Sequence, residues 1–254
     1  MNNRKGHLIL LVGKSTAGKS YSLRNLRDPE KVLFLNCEAG KNLPFKSKFK
    51  EVIVTDPRIE ITGEGSFLRQ ASQHPDKFHT VVIDSLTFLM QMYETKYMGE
   101  YSNTMKFWGD YGKFFTSLIN QEIPTLLKAG INVIIIAHTS DVLNDKEMVT
   151  EVKVKLKGSV MNTGVEAYFN DIVAAKVIPI DKLKEYPNDM LHLDQLEDEE
   201  IITEQKHVLQ TKLTKDSRYD KLRSSPGLWK MNETFIDGDI QVVLDHFDKF
   251  YYGN

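Results

Sequence analysis

Five short runs along the chain are apolar on consecutive positions rather than on alternate ones, and each is rich in β-branched residues: 7–12, 32–36, 80–84, 132–137 and 171–178. Runs of that length with no polar face predict strands buried on both sides, the habit of parallel sheets. Between them the polar and apolar positions fall at helical spacing, over 19–26, 66–73, 85–97 and 111–128. Strand and helix in alternation predict right-handed βαβ units, and hence an α/β fold with a doubly wound, mostly parallel sheet flanked by helices.

Three stretches follow other rules. Residues 147–157 alternate, with Val152, Val154 and Leu156 on one side and Lys153, Lys155 and Lys157 on the other, which predicts a strand or hairpin with one buried face. Residues 194–200 are acidic and read as a solvated turn. Residues 206–223 hold six Lys and Arg against two Asp, and Ile240, Val243, Leu244 and Phe247 beyond them mark a last amphipathic helix. With no linker, repeat or low-complexity tract, residues 1–254 are expected to form a single domain, with 206–254 as its basic stretch and closing helix.

Composition narrows the function. The 254 residues carry 33 Lys and Arg against 35 Asp and Glu, a formal net charge of −2, which excludes an all-round basic coat and makes any nucleic-acid surface local. The one cysteine, Cys37, excludes an internal disulfide and a thiolate zinc site and fits a reducing compartment. No apolar run approaches the roughly 20 residues that span a bilayer, so a soluble, cytoplasmic protein without a membrane partner is expected.

The strongest chemical signal is Gly13-Lys14-Ser15-Thr16-Ala17-Gly18-Lys19-Ser20, a match to G-x-x-x-x-G-K-[ST] placed after the first strand and before a predicted helix. Its glycines allow a turn whose N–H groups point at phosphates. Lys19 would reach the β and γ phosphates and Ser20 would ligate Mg²⁺, with Tyr21 next in the chain. Residues 80–84 end in Asp84, the pattern of a strand carrying the second magnesium-site carboxylate, although a helix N-cap explains an aspartate there equally well. Ser85 follows Asp84, so this strand offers no base. Glu38, just past the second strand, would emerge at the carboxyl edge and could polarise water, or be a loop glutamate. His138 and Thr139 end the fourth strand at the same edge, either sensing the γ-phosphate or serving as hydrogen-bonding groups.

Taken together, residues 13–20, Glu38 after the second strand, Asp84-Ser85 after the third, and Ile135-Ile136-Ala137-His138-Thr139 resemble the RecA-like ATPase core. The short chain and Ser217-Arg218-Tyr219-Asp220 are similar to core-only phage ATPases of that superfamily, several of which are single-strand annealing recombination proteins. The resemblance implies ATP and Mg²⁺ as cofactors, Lys19 and Ser20 on phosphate and metal, Asp84 near the metal, Glu38 as base, and His138 as the switch to the DNA-binding loops. It also implies single-stranded DNA as partner, a ring or filament of copies with a single-strand-binding protein as a further partner, and a basic residue from a neighbouring copy in each site. Lys212, Lys215 and Arg218 lie in the matching late stretch.

A single-strand binder needs cations and exposed aromatic faces. Tyr93, Tyr97, Tyr101, Phe107, Trp108, Tyr111, Phe114 and Phe115 crowd into one region, and its predicted loop, 98–110, offers Lys106, Phe107 and Trp108 to bases. Helical spacing lets the same rings pack internally. The second loop, 140–158, has four Lys and four acids, and only Lys153, Lys155 and Lys157 present a continuous face to phosphates; lysines guarding a strand edge give the same pattern. Two other classes compete: a P-loop nucleotide kinase, which would want an arginine-rich lid that is not visible, and a nucleotide-dependent helicase loader that binds ATP with little turnover.

Overall fold

A computed structural model describes residues 4–145, 148–157 and 164–253. Among these residues nine strands form one continuous sheet: β1 Leu8–Gly13, β2 Val32–Asn36, β3 Lys50–Ile53, β4 Thr80–Asp84, β5 Asn132–Asn144, β6 Val149–Val154, β7 Ile172–Pro179, β8 Gln205–Gln210 and β9 Phe235–Asp237. They run in the order β3-β2-β4-β5-β1-β7-β8-β9, with β6 paired to β5 alone. The six from β3 to β7 are parallel and β8 and β9 are antiparallel, which is the doubly wound sheet expected for a RecA-like core.

The unbroken apolar runs arise because successive side chains enter two different cores. In β1, Leu10 and Val12 face one layer while Ile9 and Leu11 face the other; in β5, Val133, Ile135 and Ala137 oppose Ile134 and Ile136 in the same way. The first layer includes the helices Leu86–Tyr97 and Thr104–Ser117, and the second is closed by the helix Ile240–Tyr252 through Ile240, Val243, Leu244 and Phe247. Each fully buried Ile or Leu contributes about 1.5–3 kcal/mol, so both faces anchor the sheet.

Several expectations change. The helix predicted over 19–26 is only the 3-10 turn Tyr21–Leu23. Ser22 Oγ donates to the Lys19 carbonyl at 2.7 Å, Ser and Asn are poor helix formers, and Pro29 stops any continuation. The predicted loop 98–110 is mostly helix, because the Asn103 side chain accepts from the amides of Met105 and Lys106 and starts Thr104–Ser117. The strand predicted to end at Ala137 runs on to Asn144, and its outer half, Thr139–Asn144, leaves the sheet to pair with β6 as a hairpin. Within 194–200, the acidic residues from Asp198 start the helix Asp198–Thr203. The expected alternation appears from Val154, at the end of β6, with Val154 and Leu156 buried and Lys155 and Lys157 exposed, whereas Val152 and Lys153 are both half-buried; Glu147 and Gly158, at the edges of the two segments singled out there, lie outside the described residues. Among the described residues no helix is long and apolar enough to cross a membrane.

Candidate active site

Register brings the site together. Gly13 is the Cα partner of His138, Asn36 of Asp84, and Asp84 of Ile136, so the ends of β1, β2 and β4 lie side by side at the carboxyl edge with the point where β5 leaves the sheet. A cavity of about 290 Å³ opens there. Ser15, Thr16, Gly18, Lys19, Ser20, Tyr21, Glu38, Asp84 and His138 all line it, together with Phe34, Asn36 and residues 41–44. Ligands in open α/β sheets bind at such an edge.

The loop from Gly13 to Ser20 needs unusual backbone. Gly18 sits at φ 86 and Thr16 at φ 65. A Cβ on Gly18 would lie 2.9 Å from the His207 ring, so glycine is required there for space as well as for conformation. Lys19 is buried, and its Nζ donates to the carbonyls of Gly13 and Lys14 at 3.0 and 2.7 Å. Burial lowers its ammonium to about 8, against the attraction of Asp84 and Glu38, and the nearby charge of Lys41 adds to the lowering.

Ser20 Oγ donates to Asp84 Oδ2 at 2.7 Å. A hydroxyl and a carboxylate converging beside the phosphate loop fit Mg²⁺, which binds through one or two such oxygens plus substrate phosphates and waters rather than in an all-protein cage. No cluster of three or more His, Cys, Asp and Glu side chains that could hold a metal occurs among the described residues. Burial raises the Asp84 carboxyl above its usual range and Glu38 pushes the same way, while the Ser20 hydrogen bond opposes both. A divalent cation would reverse that balance.

Glu38 is held from three sides. His138 Nε2 is 3.1 Å from its Oε1, Ser85 Oγ donates to the same oxygen at 3.3 Å, and Lys41 Nζ is 3.4 Å from Oε2. Its carboxyl is pushed down mainly by the His138 hydrogen bond, with burial opposing and Lys41 assisting, so it is ionised at neutral pH and can accept a proton from water. The His138 amide donates to Thr87 Oγ1 at 3.0 Å, which fixes the histidine where the sheet gives way to the hairpin.

Other expected residues lie elsewhere. The Lys14 side chain turns away from the cavity and pairs with Asp141 on the hairpin at 2.7 Å, and Ala17 packs into the second core. Lys212 Nζ donates to the Trp229 carbonyl at 3.1 Å; Lys215 and Arg218 are exposed, and none of the three lines the cavity. Phe107 is fully buried, so it cannot stack on a base, and Trp108 is half-buried with its ring edge on Phe107 and Tyr111. The aromatic crowding of this region is therefore core packing. Lys106 is exposed, Lys153 pairs with Glu151 at 3.3 Å, and Lys157 pairs with Glu94 at 2.9 Å.

Sequence reasoning missed Lys41, Ser85, Asn36 and Thr87. The signal for Lys41 was its spacing of three from Glu38, with Ala39-Gly40 between them as a turn.

The AAA_24 family model, described as an AAA domain, matches residues 5–216. Among solved structures, a KaiC-like protein from the hyperthermophilic archaeon Pyrococcus horikoshii OT3 is similar with a TM-score of 0.43 and 14% identity, over 85% of this chain and 82% of that one. The RadB recombinase is similar with a TM-score of 0.37 and 16% identity, over 69% of this chain and 77% of that one. No curated protein matches the sequence significantly.

Proposed function

The chain belongs to the AAA_24 family of AAA domains, P-loop ATPases with a RecA-like core, and from that premise we propose that it is a Mg²⁺-dependent ATPase stimulated by single-stranded DNA and acting as an assembly of copies. The observation that carries the reading is the meeting of Lys19, the Ser20–Asp84 pair and Glu38 around one cavity. The loop amides and Lys19 hold the phosphates, and Glu38 takes the proton of the water that attacks the γ-phosphorus as ADP departs. Mg²⁺ bound through Ser20 and Asp84 would neutralise the β and γ oxygens.

The DNA-facing element in this reading is the β5–β6 hairpin. It begins at His138, whose ring contacts Glu38, and just beyond its second strand come exposed Lys155 and Lys157, the latter paired with Glu94, with exposed Lys106 on the helix Thr104–Ser117. A γ-phosphate that drew Glu38 away from His138 would change what holds the root of the hairpin. Exposed Lys215 and Arg218, with Lys212 beside them, are the cations available to a neighbouring copy's site. Recombination by annealing, with a single-strand-binding protein as partner, is the output we assign.

The test is ATP hydrolysis with and without single-stranded DNA on one purified sample, together with a salt titration of DNA binding. Stimulated turnover and an affinity falling linearly on a log–log plot against salt are expected. DNA-indifferent turnover with no salt-sensitive binding removes the DNA reading and leaves the ATPase, whereas tight ATP binding with little turnover favours a loader.

A further inference from the structure

Glu38 is followed by a tight turn that brings the chain back to the cavity edge. Ala39 at φ 54 and Gly40 at φ 76 are two successive left-handed residues, and the Lys41 amide donates to the Glu38 carbonyl at 3.1 Å across them. That is the signature of a tight primed turn, and a non-glycine residue adopts it only when its surroundings hold it there. Asn36 does the holding. Its Oδ1 accepts from the Glu38 amide at 3.0 Å and its Nδ2 donates to the Lys41 carbonyl at 3.0 Å, so one buried side chain clamps both ends of the turn. The consequence is that Lys41 returns to the cavity edge with its Nζ on Glu38 Oε2.

We propose that Lys41 is a catalytic cation supplied in cis, its ammonium meeting the terminal phosphoryl oxygens of a nucleotide held by the loop 13–20; the assignment rests on the ATPase reading above. Three observations support it. Lys19 and Lys41 are the two lysines that line the cavity among the described residues, and no arginine lines it. Glu38, which holds the Lys41 ammonium at 3.4 Å, lines the same cavity as Lys19, so the two cations flank the space beside the base. Finally, the side chain of Lys41 is 73% exposed, so its pairing with Glu38 is weak and easily exchanged for phosphate.

In the reaction, the water oxygen bonds to the γ-phosphorus, the bond from that phosphorus to the β-bridging oxygen breaks, and the bridging electron pair leaves with ADP. The water proton passes to the Glu38 carboxylate. Lys41 keeps its protons throughout and neutralises charge on the transferring oxygens, which also frees Glu38 from its ion pair at the moment it acts as base.

The experiment compares Lys41→Gln and Lys41→Arg with the wild type, and with Lys48→Gln as a control for losing one exposed positive charge. The readouts are kcat, KM, the pH profile of kcat, and affinities for ADP and for ADP with aluminium fluoride. Expected for Lys41→Gln is a kcat lower by about a hundredfold at every pH, with the fluoride complex weakened and ADP affinity kept within about twofold. Lys41→Arg should recover most of the rate, and Lys48→Gln should match the wild type. Unchanged kcat in Lys41→Gln overturns the proposal. So does a shift of the acid limb with an unchanged plateau, because Lys41 would then act only on the Glu38 carboxyl. A wild type that hydrolyses nothing while binding nucleotide overturns the ATPase reading as well, and is told apart by that control alone.

Discussion

Raising the pH should strip Lys19 of the charge on which phosphate binding depends. In the nucleotide-free protein, burial lowers this ammonium to about 8, although Asp84 and Glu38 pull the other way. A bound triphosphate surrounds it with negative oxygens and returns it toward the ordinary value of about 10.4. The nucleotide-free form therefore loses the proton first as pH rises, and binding must take it back. At pH 9 about nine-tenths of the nucleotide-free molecules hold a neutral Lys19, so apparent affinity should be about tenfold weaker than at pH 7, or about 1.4 kcal/mol, and weaken tenfold for each further unit up to about pH 10. Calorimetric titration with ADP in buffers of different ionisation enthalpy measures both quantities, and about 0.9 proton should be taken up per ADP at pH 9. The nucleotide's terminal phosphate, with a second pKa near about 6, is ionised across most of this window. Affinity that stays flat to pH 9 without proton uptake would refute the assignment of Lys19 as a buried ammonium in direct contact with phosphate.

Two further outcomes separate structural from chemical roles. Phe107→Ala should cost about 3–5 kcal/mol of stability, read as a lower denaturant midpoint, because it empties a fully buried ring site; normal stability with lost DNA binding would restore a base-stacking role. Asp84→Asn should leave Tm unchanged or higher, since it removes a carboxylate that burial disfavours, while weakening Mg²⁺-dependent nucleotide affinity by about tenfold or more; equal affinity with and without Mg²⁺ in the wild type would contradict the metal assignment.

The parallel centre of the sheet was legible because burial on both faces leaves no polar position to obscure the strand: β2 and β4 have the boundaries read from their apolar runs. The edge strand β3 and the next-to-edge strand β8 were not. Lys50–Ile53 has no fully buried residue, and Gln205–Gln210 begins with polar residues inside a stretch dominated by its net positive charge. The phosphate loop, Asp84, Glu38 and His138 were readable one by one, since strand ends in an α/β sheet converge on one edge. Their mutual contacts were not readable, because Glu38 meets His138 and Ser85 only through sheet order. The helix Thr104–Ser117 could have been found from Asn103 as an N-cap and from Phe107, Tyr111, Phe114 and Phe115 at helical spacing, but the clustering of so many rings suggested a base-stacking loop instead. The helix expected after Ser20 failed for the opposite reason, as its serines prefer local hydrogen bonds to a continued helical ladder.

The central claim is that a triphosphate lies on Lys19 and Ser20 with its terminal group opposite Glu38. Steady-state hydrolysis of Mg²⁺-ATP by Glu38→Gln, measured beside its ATP affinity, tests it most directly. Wild-type affinity is expected, with turnover slowed by about a hundredfold or more, the usual contribution of a general base. Turnover at the wild-type rate would contradict it.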